Sequence, residues 1–207
     1  MRVPDCFDIR IGCTTRNNPV NGGARVYRPS PAPTVTFMSM ARTGTPMDTS
    51  RSRTALLFIA CITLPLIVGF AGSVFTSGSI NGWYAGLTKP TFTPPAWVFA
   101  PAWTILYILM GSALFLVIQE GTGTPLARQG LLLFAAQLAL NFGWSLVFFG
   151  MHAIAAALAV LLLLIILIAA TALVFRRISA PAAWLLVPYL AWCCFAATLN
   201  AGIWMIN

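Results

Sequence analysis

WYAGLTKPTFTPPAWVFAPAWTILY, residues 83–107, crowds Pro90, Pro94, Pro95 and Pro101 and the single lysine, Lys89, among Trp83, Tyr84, Phe92, Trp97, Phe99, Trp103 and Tyr107. Proline fixes φ, removes a backbone donor and turns the preceding residue away from helix. The stretch up to Pro95 is therefore expected to be a stiff, non-helical connection. Pro95 suits the first turn of a following helix, where a missing N–H costs nothing. Two readings of the aromatics stand: an interfacial belt of the kind Trp and Tyr form at any bilayer surface, or a structured lid over a pocket between helices.

Working outward, the flanking sequence sets the class. The 207 residues are 59% hydrophobic and 8% charged, with a mean hydropathy of +0.86. Soluble domains carry about 25% charged residues, so the chain is expected to be an integral membrane protein. Five apolar runs follow Thr54, at about 54–76, 97–119, 129–149, 151–175 and 181–205. Each is long enough to cross a hydrocarbon core of about 30 Å. The predicted fold class is an all-α five-transmembrane-helix bundle with a structured Pro/Trp-rich loop between the first two spans. The third and fourth runs are separated only by Gly150 and must turn sharply.

Residues 1–53, with six prolines, many small polar residues and no apolar periodicity, read as a disordered Arg/Pro-rich tail. A translation start at Met47 is the equal alternative. The formal charge of +8 is split between this tail and the loops, without the basic, aromatic-interleaved face that nucleic acid requires. Arg51, Arg53, Arg128, Arg176 and Arg177 fall on the N-terminal side and Lys89 on the other. In a plasma or inner membrane the positive-inside rule then puts the N-terminus in the cytoplasm and the 77–96 loop outside. Inner and outer membranes of a bacterial cell envelope both remain open.

Ionisable groups inside a bilayer mark function by default, and the runs hold none in their interiors. Glu120, Arg128, Arg176 and Arg177 sit at run ends and His152 at a turn. The five cysteines show no metal-ligand spacing. Proton-coupled pumping and metal-dependent hydrolysis lose their groups, and no metal site is expected. The helices offer aromatic and amide surface instead. Gln137, Asn141 and Ser145 recur every fourth residue and share a face that should point inward, flanked by Trp144 and Phe148. Trp103, Tyr107 and Met110 align on the second run. Trp192, Phe195, Ala196, Leu199 and Ile203 align on the fifth, with Tyr189 and Asn200 on a neighbouring stripe. The amides could merely join helices; together with the aromatics they read as the anchors of a large apolar cavity. Trp83, Trp97, Trp184 and Trp204 fall near run ends as belt candidates. Trp103, Trp144 and Trp192 lie deeper. Ala135, Ala139 and Gly143 form a small-residue ridge that serves a homodimer or internal packing equally well.

The motifs WYAGLTKPTFTPPAW (83–97), PAWTILY (101–107), ALNFGW (139–144) and PYLAWCCFAATLN (188–200) resemble the TspO/MBR family, the tryptophan-rich sensory proteins related to the mitochondrial translocator protein. The likeness covers essentially all of 54–207. It implies a membrane protein, commonly dimeric, that binds tetrapyrroles such as protoporphyrin IX, or drug-like apolar molecules, beneath the first loop, with no required cofactor. By motif position Tyr84 and Pro94 would belong to the lid and rim. Trp103, Tyr107, Asn141, Trp144, Trp192, Phe195 and Ala196 would line the cavity. Trp103 and Trp192 match a tryptophan pair associated with light-dependent porphyrin breakdown, the one catalytic role the resemblance offers. Passive carriage of porphyrin or lipid is a third implied activity. The cholesterol motif of the animal proteins is broken, because Leu199–Asn200 is followed by Ala201, Gly202, Ile203 and Trp204 with no tyrosine or basic residue.

Overall fold

Five helices long and apolar enough to cross a membrane make up the bundle. The computed structural model describes residues 47–80 and 82–207, with side chains from Arg51 onward. The elements are α1 (Met47–Ile80), α2 (Trp83–Gly86), a 3-10 turn (Ala96–Val98), α3 (Phe99–Gln119), α4 (Pro125–Ser145), α5 (Ile154–Arg176) and α6 (Ala180–Ile206). No strand occurs among the described residues. Of the expected tail, residues 1–53, positions 1–46 lie outside them.

Helix ends differ from the apolar runs for a physical reason. Hydropathy marks the part of a helix that touches lipid, whereas the helix itself extends into water. Thus α1 begins at Met47, so the last residues assigned to the tail are helical, and it continues to Ile80. α4 begins at Pro125, where Thr124 accepts a hydrogen bond from the Ala127 N–H at 3.1 Å. That is N-capping with proline in the first helical position.

The connection expected to be non-helical up to Pro95 is partly helical. Trp83–Gly86 forms one turn, and the extended segment follows it. Pro95 stands just before the 3-10 turn rather than within the helix, and Pro101 occupies the first turn of α3. The turn after α4 is also displaced. A π-helical turn, Leu146–Gly150, prolongs α4, and the chain reverses over Met151–Ala153 before α5 starts at Ile154. His152 takes a left-handed φ of 56° at that reversal, a conformation non-glycine residues adopt rarely.

Close packing rests on small residues. A Cβ on Gly111 would overlap the α1 backbone at Cys61 and Ile62, and one on Gly69 would overlap the Tyr107 ring. α1 and α3 therefore touch at these two levels. The core gathers Met110, Ala113, Val117, Leu161, Leu164, Ile168, Leu186, Tyr189 and Cys193 in full burial. α5 packs chiefly against α4 and α6. Basic residues collect at the α1 start, the first turn of α4 and the α5–α6 junction; the α1–α3 connection carries Lys89 at the other end.

Candidate functional site

A cavity of about 640 Å³ lies between α1, α3, the end of α4 and α6, beneath the α1–α3 connection. It falls within the roughly 300–1,000 Å³ of small-molecule sites. Tyr84, Phe99, Trp103, Tyr107, Trp144, Phe148 and Phe149 make the wall aromatic. No residue of α5 lines it.

The rings are held by each other. Trp103 and Tyr107, one turn apart on α3, stack with centroids 5.5 Å apart. Trp144 stacks on Phe148 at 5.3 Å. The π-helical turn widens the spacing enough to bury Phe148 and Phe149 side by side, their rings edge-to-face at 4.8 Å. Such pairs add about 0.5–1.5 kcal/mol each beyond area burial.

The polar groups behind the wall are paired off. Tyr107 Oη donates to Asn141 Oδ1 at 2.8 Å, and Asn141 Nδ2 donates to Tyr189 Oη at 3.2 Å, tying α3, α4 and α6 together. Trp144 Nε1 donates to Asn200 Oδ1 at 3.3 Å, and Asn200 Nδ2 donates to the Ile154 carbonyl at 2.9 Å. The inward face expected for Gln137, Asn141 and Ser145 is present, but its three members differ. Ser145 lines the cavity. Asn141 is buried behind Tyr107. Gln137 is fully enclosed, with neither amide atom bonded among the described residues.

The roof is the α1–α3 connection. Tyr84 lines the cavity and packs edge-on against Phe148 and Phe149 at 6.2 and 5.7 Å. Burial raises its phenol above the ordinary value, so it stays neutral at physiological pH. Lys89 Nζ sits 4.7 Å from the Tyr84 ring centre and donates to the Ala85 and Leu87 carbonyls. Trp83, a belt candidate by position, instead stacks on His152 at 4.2 Å. Ser79 donates to the Phe149 carbonyl at 2.6 Å and lies 3.4 Å from His152 Nε2. At the far side Asn207 exchanges two hydrogen bonds with the Thr88 backbone, at 3.0 and 2.9 Å, and Pro90 is buried against Gly202.

Of the residues singled out by sequence, Tyr84, Trp103, Tyr107, Trp144 and Ala196 line the cavity. Pro94 does not. Trp192 stands behind the wall, edge-on to the lining Phe99 at 6.0 Å, with Phe195 beside it at 5.7 Å. Asn141 acts through its bond to Tyr107. Sequence reasoning missed the α1 wall: Leu66, Gly69, Phe70, Ser73, Thr76 and Ser77. Ser73, Thr76 and Ser77, spaced to share one helix face at the end of the first apolar run, were the available signal. No group of three potential metal ligands occurs among the described residues.

Known proteins converge on the same region. The TspO/MBR family profile matches residues 61–205. The chain is 47% identical over 152 residues to the tryptophan-rich protein TspO of Chlorobaculum tepidum, covering 73% of this chain and 96% of that one. It is 44% identical over 144 residues to the translocator protein of Homo sapiens, covering 69% and 85% respectively. Against the tryptophan-rich sensory protein of Cereibacter sphaeroides it is 43% identical over 140 residues, 66% of this chain and 85% of that one. Apolar spans, roofed aromatic cavity and matched sequence agree: the chain is a multi-pass membrane protein belonging to the TspO/MBR family.

Proposed function

We propose that the protein binds a tetrapyrrole, protoporphyrin IX in the first instance, and serves in sensing or regulating porphyrin or oxidative stress in a bacterial cell envelope. The observation that carries this reading is the aromatic cavity of about 640 Å³ with indole, phenol and phenyl faces on several sides. A flat macrocycle buries well between such faces. Because the Tyr107 hydroxyl and Trp144 N–H already donate to Asn141 and Asn200, the wall offers shape more than free donors. The cation nearest the roof is Lys89, poised for a carboxylate edge. The test is titration of the detergent-solubilised protein with protoporphyrin IX, read by tryptophan fluorescence in the dark. Saturable quenching is expected, and Trp103→Phe should weaken it about fivefold, from the roughly 1 kcal/mol of an aromatic contact. An apolar non-tetrapyrrole ligand becomes the better reading if quenching never saturates.

Light-dependent porphyrin breakdown is the second reading, favoured by Trp103 lying in the wall itself. Trp192 is one ring removed, behind Phe99. Trp103→Phe should then slow specific bleaching more than Trp192→Phe. Passive carriage needs no coupling group and would show uptake into vesicles independent of a pH gradient. A homodimer through α4 is proposed as well, since Ala135 and Ala139 are exposed beside a shallow apolar groove shared with α1.

A further inference from the structure

The cavity has a closed roof and an open side. The roof is fastened at three places: Trp83 on His152, Tyr84 on Phe148 and Phe149, and Thr88 with Pro90 against the end of α6. These contacts tie the roof to both the α4–α5 reversal and α6.

The side between α1 and α3 is different. Below, the two helices touch at Gly111 and at Gly69. Above that level their cavity-lining residues are exposed on both lips. α1 presents Phe70, 74% exposed, with Ser73 and Ser77; across from them are Ala96, Ala100 and Thr104. A residue that lines an internal cavity and is also exposed marks its mouth. Ala96, Ala100 and Thr104 are spaced by helical turns, and at 1.5 Å per residue the mouth runs about 12 Å along the helix axis. That is close to the depth of one leaflet, about 15 Å.

The lips suit lipid. Ser73, Ser77 and Thr104 each donate to a carbonyl of their own helix, Phe70, Val74 and Ala100 respectively. Their hydroxyls therefore meet hydrocarbon without an idle donor, where an unsatisfied one would be costly.

We propose that the cavity is loaded sideways from the bilayer, through the gap between α1 and α3, by amphiphilic ligands already dissolved in the roof-side leaflet. Charge makes this route the easier one for a flat molecule with carboxylates on one edge. Such a ligand keeps its charged edge at the interface while its apolar body slides between the lips. No ionised group then crosses hydrocarbon, where charge is strongly disfavoured. The partner is the membrane phase itself, and the proposal rests on the tetrapyrrole reading for its charge argument and its probe.

The test uses the full chain in phosphatidylcholine vesicles, with its native cysteines replaced and paired cysteines added. One variant, Ser73→Cys with Thr104→Cys, is closed across the gap by a short reducible thiol cross-linker. The other, Thr88→Cys with Asn207→Cys, locks the roof. With protoporphyrin IX as probe, closing the gap should slow association at least tenfold, and reduction should restore it in the same sample. Locking the roof should leave association unchanged. Association that is indifferent to the gap bridge overturns the proposal, as does association stopped by the roof lock alone. If protoporphyrin fails to bind the unbridged protein, the tetrapyrrole reading fails, and the gap is tested without a ligand. A bimane on Thr104→Cys should be quenched more by phosphatidylcholine brominated on its acyl chains than by aqueous iodide; the reverse order overturns lateral loading.

Discussion

Asn141 joins two phenols on two other helices, and its replacement should be felt at both. Asn141→Leu removes the bonds to Tyr107 and Tyr189 and leaves two buried hydroxyls to find partners. Hydrogen bonds between membrane helices average about 0.6 kcal/mol and reach about 1.7. A loss of about 1–3 kcal/mol is expected, read as a fall of several degrees in the thermal transition in detergent. An unchanged transition would show that the amide is not structural. Gly69→Ala places a methyl group where the Tyr107 ring lies; porphyrin quenching should weaken with it, because the displaced ring belongs to the wall. At this scale the sequence was legible for aromatics and less so for amides. Helical spacing put Trp103, Tyr107 and Trp144 on inward faces, and inward is where they are. Spacing cannot say whether an inward residue looks at a cavity or at the next helix. Asn141 faces helices and Trp192 stands behind Phe99, although both share the face of true wall residues.

Between helices the informative element is the α1–α3 connection. Prolines announced its stiffness, but not the single turn at Trp83–Gly86, which is too short to leave a periodicity. Nor could a linear reading bring Trp83 to His152, 69 positions later, or Thr88 to Asn207. Those contacts depend on a left-handed residue at one reversal and on the length of α6. Trp83→Ala should therefore loosen the roof without unfolding the bundle. Amide exchange across residues 82–90 is expected to rise while exchange in α5 stays unchanged; equal protection in both variants would mean the stack on His152 holds nothing. The π-helical turn illustrates the same limit. Sequence carried the third span to 149 and placed the turn at Gly150; the chain reverses over Met151–Ala153 instead, and the π-helical form of Leu146–Gly150, which brings two phenylalanines to one wall, left no signal.

For the molecule as a whole, five spans and their order were plain from hydropathy, since nothing but a helix can satisfy its backbone in so apolar a run. The ends were not, because water-exposed turns carry no apolar signal. The charge distribution yields a prediction at this scale. In an inner membrane, Thr88→Cys in a cysteine-free chain should react with an impermeant maleimide from outside the cell, and labelling only after lysis would reverse the topology. The outward ridge yields another: if the proposed α4 homodimer forms in detergent, Ala139→Trp should shift it toward monomer in light scattering, whereas an unchanged mass would move the interface elsewhere. α5 has no share in the cavity, and its sequence is almost purely aliphatic. It is insulation. In a saturation-mutagenesis survey its lipid side should tolerate exchange among leucine, isoleucine and valine almost silently, while the buried Thr171 and Phe175 resist. A lineage can rewrite the lipid side of that helix and leave the cavity lining untouched.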